Sequence, residues 1–219
     1  ESRLINLLAS KVTQCEISMR DKLNEMLFGD GTGNNSKDLH GLQLIVESGA
    51  AWGSYGGIDR SDALNSWWRN TWKNMTSSSF TTNGLDNMRN LYNTARGCNV
   101  HPDFAVSDQT TYERYEKLLV PNERFTDQAT GDAGFVNLKF KGLVLGYDEQ
   151  ATGAVSGGLI YMLNSNYLEY VVDSETDLVN TDFVRPENQD AKTSQVLLMA
   201  NLVCTNCARQ AVMDGIDTA

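Results

Sequence analysis

The sequence predicts an α+β fold built from one long helix and a sheet-rich body. Three observations carry this. Leu4, Leu8, Val12, Cys15, Met19, Leu23 and Met26 recur every three or four residues, the spacing of one helical stripe. Val136, Leu138 and Phe140 alternate with Asn137, Lys139 and Lys141, the spacing of a half-buried strand. Between these regions strand-like and helix-like segments follow one another, with no repeat or low-complexity tract.

The first element is read as a rigid rod lying across the sheet-bearing body. Arg3, Lys11, Gln14, Glu16, Arg20, Asp21, Lys22 and Glu25 lie between the stripe positions, so the opposite surface is solvated. At 1.5 Å per residue the rod is about 40 Å long. Cys15, on the stripe, is expected to be a small core residue. The rod stops at Phe28, where Gly29 suits a left-handed cap. The glycines that follow come after a helix rather than before one, and no Gly-Lys-Ser/Thr occurs, so the loop is not a phosphate cradle.

Leu42 to Val46 is a short apolar segment, followed by turns as far as Gly57. Trp67, Trp68 and Trp72 then fall among Arg and Asn, a composition suited to protein contacts or to core filling. Trp67, Trp68 and Arg69 are taken as candidate subunit contacts. Gly84 to Gly97 reads as a helix with Leu85, Met88, Tyr92 and Ala95 on one face, capped by Asn83 and ended by Gly97. Phe104 to Val106 reads as a strand. Ser107 is expected to cap a second helix bearing Tyr112, Tyr115 and Leu119, stopped by Pro121. Further strands are expected at Gly142 to Leu145, Leu159 to Leu163 and Leu168 to Val172, with turn chemistry from Ala151 to Gly158. Thr193 to Met213 reads as one long strand, although its early part fits a helix equally well.

The chain has 219 residues, 41% of them hydrophobic, enough for a substantial core, and no apolar run long enough to cross a bilayer. These features describe a soluble globular protein with no membrane partner. No signal-peptide pattern is present, and a start at Glu1 is read as processing or truncation. The net charge of −10 opposes tight wrapping of nucleic acid. His40 and His101 are the two imidazoles, and no nucleophile elbow or His-Glu-x-x-His motif occurs. The reading is therefore of a protein that is not an enzyme and carries no cofactor. Cys98, His101, Cys204 and Cys207 have the types and spacing of a structural zinc site. Cys204 and Cys207 in a strand would instead point to opposite faces, and that reading is preferred.

Leu27-Phe28-Gly29-Asp30-Gly31-Thr32-Gly33-Asn34-Asn35, leading to Leu39-His40-Gly41-Leu42, closely resembles the end of the spine helix in tailed-bacteriophage major capsid proteins of the Hong Kong 97 type. The later segments Asp103 to Ser107, Phe140 to Leu145 and Asn201 to Gly215 follow the order of that family's elements. The resemblance implies a Hong Kong 97-type capsid fold with a peripheral domain at 1–80, an axial domain at 81–190, and closing strands at 191–219 that return to the periphery. It implies a subunit that associates with its own copies into hexamers and pentamers around double-stranded DNA, touching the DNA only weakly and without sequence preference. It places the protein in the virion, and in the host cytoplasm before assembly. By that resemblance the chain is expected to begin at the spine helix and to lack the family's N-terminal arm and extended hairpin loop, so the chain alone is expected to be largely monomeric. An encapsulin-type compartment shell and a zinc-stabilised binding domain are the alternatives.

Overall fold

In the computed structural model, the described residues are 2–49, 52–95, 100–119, 138–151, 157–185, 187 and 192–217. Helix α1 runs unbroken from Ser2 to Phe28, as the stripe predicts. Short helical turns follow at Gly33–Ser36 (α2) and Leu42–Ile45 (α3). Strands β1 (Ser54–Tyr55) and β2 (Ile58–Asp59) form a small hairpin, and a 3₁₀ turn spans Ala63–Trp68. The order continues β3 (Thr71–Asn74), α4 (Phe80–Thr94), β4 (Phe104–Ser107) and α5 (Gln109–Leu119). Next come β5 (Leu138–Phe140), β6 (Leu143–Tyr147), β7 (Gly158–Leu163) and β8 (Leu168–Val172). The chain closes with β9 (Val179–Asn180), β10 (Val196–Leu197), β11 (Ala200–Cys204) and β12 (Ala211–Ile216).

Six strands form one mixed sheet in the order β3-β12-β7-β4-β6-β5. The β12–β3 and β4–β6 pairs are parallel and the other three antiparallel. Both faces of this sheet are buried, which is why β7 and β12 are apolar along nearly their whole length. Ala105, Leu145, Ile160, Met162, Ala211 and Met213 pack with Phe80, Met88, Leu91 and Tyr115 of α4 and α5. On the opposite face Val106, Leu159, Tyr161, Leu163 and Val212 meet Phe28, Leu42, Ile45 and Tyr55. Alternate residues of one strand thus serve two cores. Strands β8 and β11 form a separate antiparallel ribbon, continued by β9 with β10 and by a bridge between Val184 and Thr193.

Several expectations need correction. Among the described residues, the contacts of helix α1 with the body lie at its C-terminal end: Phe28 is buried 6.5 Å from the Tyr161 ring, and Asn24 donates to the Asp148 carboxylate at 3.0 and 3.1 Å. Cys15 is exposed rather than in a core, because no layer among the described residues lies along that turn. The left-handed conformation belongs not to Gly29 but to Gly31 (φ 76°), followed by Asn34, Asn35 and Ser36 at φ 50°, 58° and 61°. The short apolar segment at Leu42 forms a helical turn. Helix α4 begins at Phe80, ahead of Asn83, since Phe80 is its buried anchor and packs against Gly84. Ser107 ends β4, and Asp108 caps α5 instead, accepting from Thr111 N at 3.0 Å and from Leu159 N at 2.7 Å. The stretch from Thr193 to Met213 is broken into β10, β11, a 3₁₀ turn at Cys207–Arg209 and the start of β12. Gly97, Cys98, Pro121, Val136 and most of the 151–158 turn lie outside the described residues.

Candidate interaction surfaces and buried polar sites

The three aromatic-basic candidates separate in space. Trp68 is half-buried, stacked on Tyr55 at 6.4 Å and 16°, with its Nε1 donating to the Tyr55 carbonyl at 3.2 Å. Arg69 donates to the carbonyls of Arg60, Ser61 and Asp62 at 2.6, 3.0 and 3.2 Å, and its guanidinium lies over Trp52. Both are engaged within the chain. Trp67 faces outward at 59% exposure beside Leu64 at 82%, an apolar pair on the surface of the 3₁₀ turn.

Beneath this turn lies an arginine that the sequence reading did not single out. Arg60 is fully buried. Its Nε donates to Gly53 O at 3.0 Å, Nη1 to Ile45 O at 2.9 Å and Nη2 to Leu44 O at 2.8 Å, while Glu47 pairs with Nη2 at 2.9 Å. Glu47 also accepts from Gly53 N at 2.8 Å. One planar fork thus satisfies the carbonyl end of α3 and fastens it to the β1–β2 hairpin.

Cys98 lies outside the described residues, and the described candidates do not gather into one cluster. Cys204 and Cys207 are both buried, and because Cys207 opens a turn rather than continuing a strand, their thiols meet. The hydrogen bond from Cys207 to Cys204, with burial second, pushes the Cys207 thiol up, and the same bond lowers Cys204. His101 stacks flat on Tyr92 at 4.6 Å and 2°. His40 contacts Asn201, whose side chain accepts from His40 N at 2.9 Å. Among the described residues no three His, Cys, Asp or Glu side chains are grouped to hold a metal ion.

Asp214 is a fully buried carboxylate in β12, accepting from Asn74 Nδ2 at 3.3 Å. Burial raises its pKa above the ordinary carboxylate value, and nearby Trp72 and Ser48, together with Asn74, offset only part of that cost. Burial, with Asp214 second, likewise pushes up the Tyr161 phenol. A group whose folded pKa is raised contributes most at pH values below its unfolded pKa, and that contribution is lost as pH rises through the folded pKa. Asp214→Asn keeps an acceptor for Asn74 and removes the charge. The variant should therefore gain in melting temperature relative to the parent as pH rises from 4 toward 7, as scanning calorimetry at several pH values would measure. A difference independent of pH would contradict this.

No protein-family model matches the chain, and no curated protein matches it. Among solved structures, it superimposes on the cyanophage A-1(L) capsid asymmetric unit with a TM-score of 0.66 and 16% identity, over 95% of this chain and 69% of that one. At that identity the likeness is one of fold. The α+β arrangement of this chain, with its six-stranded mixed sheet, is thus shared in fold with that chain.

Proposed function

We propose that this chain is a structural subunit of an icosahedral viral capsid, of the Hong Kong 97 type, acting through shape and repeated contact rather than catalysis. The observation that carries the reading is the shared fold over 95% of the chain. It is supported by a helix that stands beyond its own body and by apolar side chains left on the surface. In this reading copies associate into hexamers and pentamers enclosing double-stranded DNA in the virion, after synthesis in the host cytoplasm. The net charge of −10 suits a container that holds its cargo loosely. Residues 1–80 and 191–219 are assigned to the periphery of the capsomer and 81–190 to its axis, although one sheet joins strands from all three stretches.

Electron microscopy of the whole gene product tests this. Closed icosahedral particles with ring-shaped capsomers are expected, and a product that stays monomeric at every concentration would defeat the proposal. The 219-residue chain by itself should sediment largely as a monomer in dilute solution. Trp67→Ser, at an exposed site, should leave the melting temperature within about 1 °C but weaken assembly. Unchanged assembly would remove Trp67 from the contacts.

A further inference from the structure

The core holds a pair of sulfurs to which a purely structural subunit gives no role. Cys204 ends β11, which pairs with β8 in the ribbon, and Cys207 opens the 3₁₀ turn that leads into β12 of the six-stranded sheet. Residues 205–210 are therefore the corner at which the chain passes from one sheet to the other. Asn206 folds that corner with its side chain, and Gln210 N closes it by donating to Cys207 O at 2.9 Å. The turn brings together two side chains that a continuous strand would hold on opposite faces. Both thiols are free, and they pack in the same core as Tyr55, Leu202 and Val212.

The two sulfurs are not equivalent. Cys204 Sγ accepts from the Cys207 thiol, from Asn206 N and from Gln210 Nε2, the last at 3.9 Å. A neutral thiol is a weak acceptor, so three donors converging on one sulfur suit a thiolate. The buried guanidinium of Arg60 favours negative charge there as well. The donors are held in place: Gln210 is fully buried, and its Oε1 accepts from Asn164 N at 2.8 Å. Cys204 is fixed from its other side, its N donating to the Tyr55 hydroxyl at 2.8 Å. Cys204 keeps 4% exposure and Cys207 none. The sulfur equipped to attack thus belongs to the residue that solvent still touches.

We propose that Cys204 and Cys207 are an oxidisable pair, which a small peroxide converts into a disulfide that latches the end of β11 to the corner leading into the central sheet. In the first step the Cys204 thiolate attacks one peroxide oxygen and the O–O bond breaks. The departing hydroxide takes the Cys207 proton and leaves as water. In the second step the Cys207 thiolate attacks the sulfenic sulfur of Cys204, and the S–O bond breaks as the S–S bond forms. The second hydroxide takes up the proton that Cys204 had given to solvent, so two thiols and one peroxide yield one disulfide and two waters. Two electrons pass from the sulfurs to the peroxide oxygens. A reducing cytosol keeps such thiols reduced, and they meet oxidant outside it. In the capsid reading that moment is release of the particle from the host; the timing rests on that reading, whereas the bond does not.

The native whole gene product is treated with hydrogen peroxide, quenched with catalase, unfolded, alkylated and mapped by peptide mass spectrometry. A link between Cys204 and Cys207, with loss of two hydrogens from the segment that carries both, is expected. The exposed Cys15 reports that oxidant was in excess. Cys204 and Cys207 still alkylated where Cys15 is fully oxidised would overturn the proposal, as would their oxidation to sulfinic acid or their linkage only to other cysteines. In a Cys15→Ser background the oxidised protein should melt about 4–8 °C above the untreated one, because even a short closed loop restricts the unfolded chain. That gain should vanish in Cys207→Ala; a gain that persists there, or none in the parent, would refute the latch. The peptide map needs no substitution, so it decides the matter even where Cys207→Ala folds poorly. Particles that form without the disulfide would defeat the latch alone, and a chain that takes the disulfide but never assembles would defeat the capsid reading alone.

Discussion

Arg60→Ala is expected to destabilise the protein by about 3–5 kcal/mol, the range for breaking a buried, hydrogen-bonded charge pair. The loss has three parts. The carbonyls of Leu44, Ile45 and Gly53 lose their donor inside the protein, and Glu47 loses its cation although it keeps the Gly53 N–H. A cavity also opens beside Tyr55, whose ring lies 5.9 Å from the guanidinium. For a chain of this size about 2–4 °C accompanies each kcal/mol, so the melting temperature should fall by roughly 6–20 °C. Arg60→Lys should fail almost as badly, since one ammonium cannot reach carbonyls spread around a planar fork. Adding Glu47→Gln to Arg60→Met should recover part of the loss, because no buried charge then stands unpaired. Denaturant midpoints measure all three, and a loss below 1 kcal/mol for Arg60→Ala would mean that the guanidinium is not the fastener described.

The effect matters beyond stability because of what Arg60 holds. It fixes α3, and Leu42 and Ile45 of α3 share a core with Phe28 at the end of α1. Loosening the hairpin therefore loosens the seat of the rod.

Helix α1 was legible because its 3.6-residue period persists through seven apolar positions, a signal that no strand or loop mimics. The face of the helix was legible too, but not what covers it. Amphipathicity reports that a stripe avoids water, and it cannot say whether the cover is the same chain, which is why Cys15 was expected in a core. The β4, β6, β7 and β8 segments were likewise visible as apolar runs of strand length, whereas the parallel pairing of β3 with β12 was not. Those strands lie about 140 residues apart, and nothing local encodes their register.

The break after Cys204 had a signal that the apolar run concealed. Asn206 turns the chain with its own side chain, accepting from Ala208 N at 3.2 Å, as Asn does in turns. Arg60 had none, because an arginine beside Asp59 and Ser61 reads as surface, where most arginines lie. The tryptophan cluster marked the right region for exposed apolar surface. Only coordinates could separate Trp67 from Trp68 and Arg69, since neighbouring residues in a 3₁₀ turn diverge in direction.

The resemblance around Leu39-His40-Gly41-Leu42 leads to the second large effect, Gly41→Ala. Gly41 is extended, at φ −88° and ψ −179°, a conformation open to any residue, so backbone freedom is not the reason for glycine. Space is. A Cβ there would sit 2.3 Å from Gly29 O, 2.4 Å from Met26 O and 2.8 Å from Gly29 N. These are backbone atoms at the end of α1, where Gly29 N closes the last turn on Met26 O at 3.0 Å, and they cannot swing aside as a side chain would. The added methyl must push the rod's end away from α3, and overpacking of this kind costs about 3 kcal/mol. Gly31→Ala meets Leu39 O only at 3.1 Å and suffers mainly from its positive φ, so it should lose about 1–2 kcal/mol. Chemical denaturation would rank the two. A Gly41→Ala protein that melts with the parent would show that the close approach of α3 to the end of α1 is not what the glycine provides.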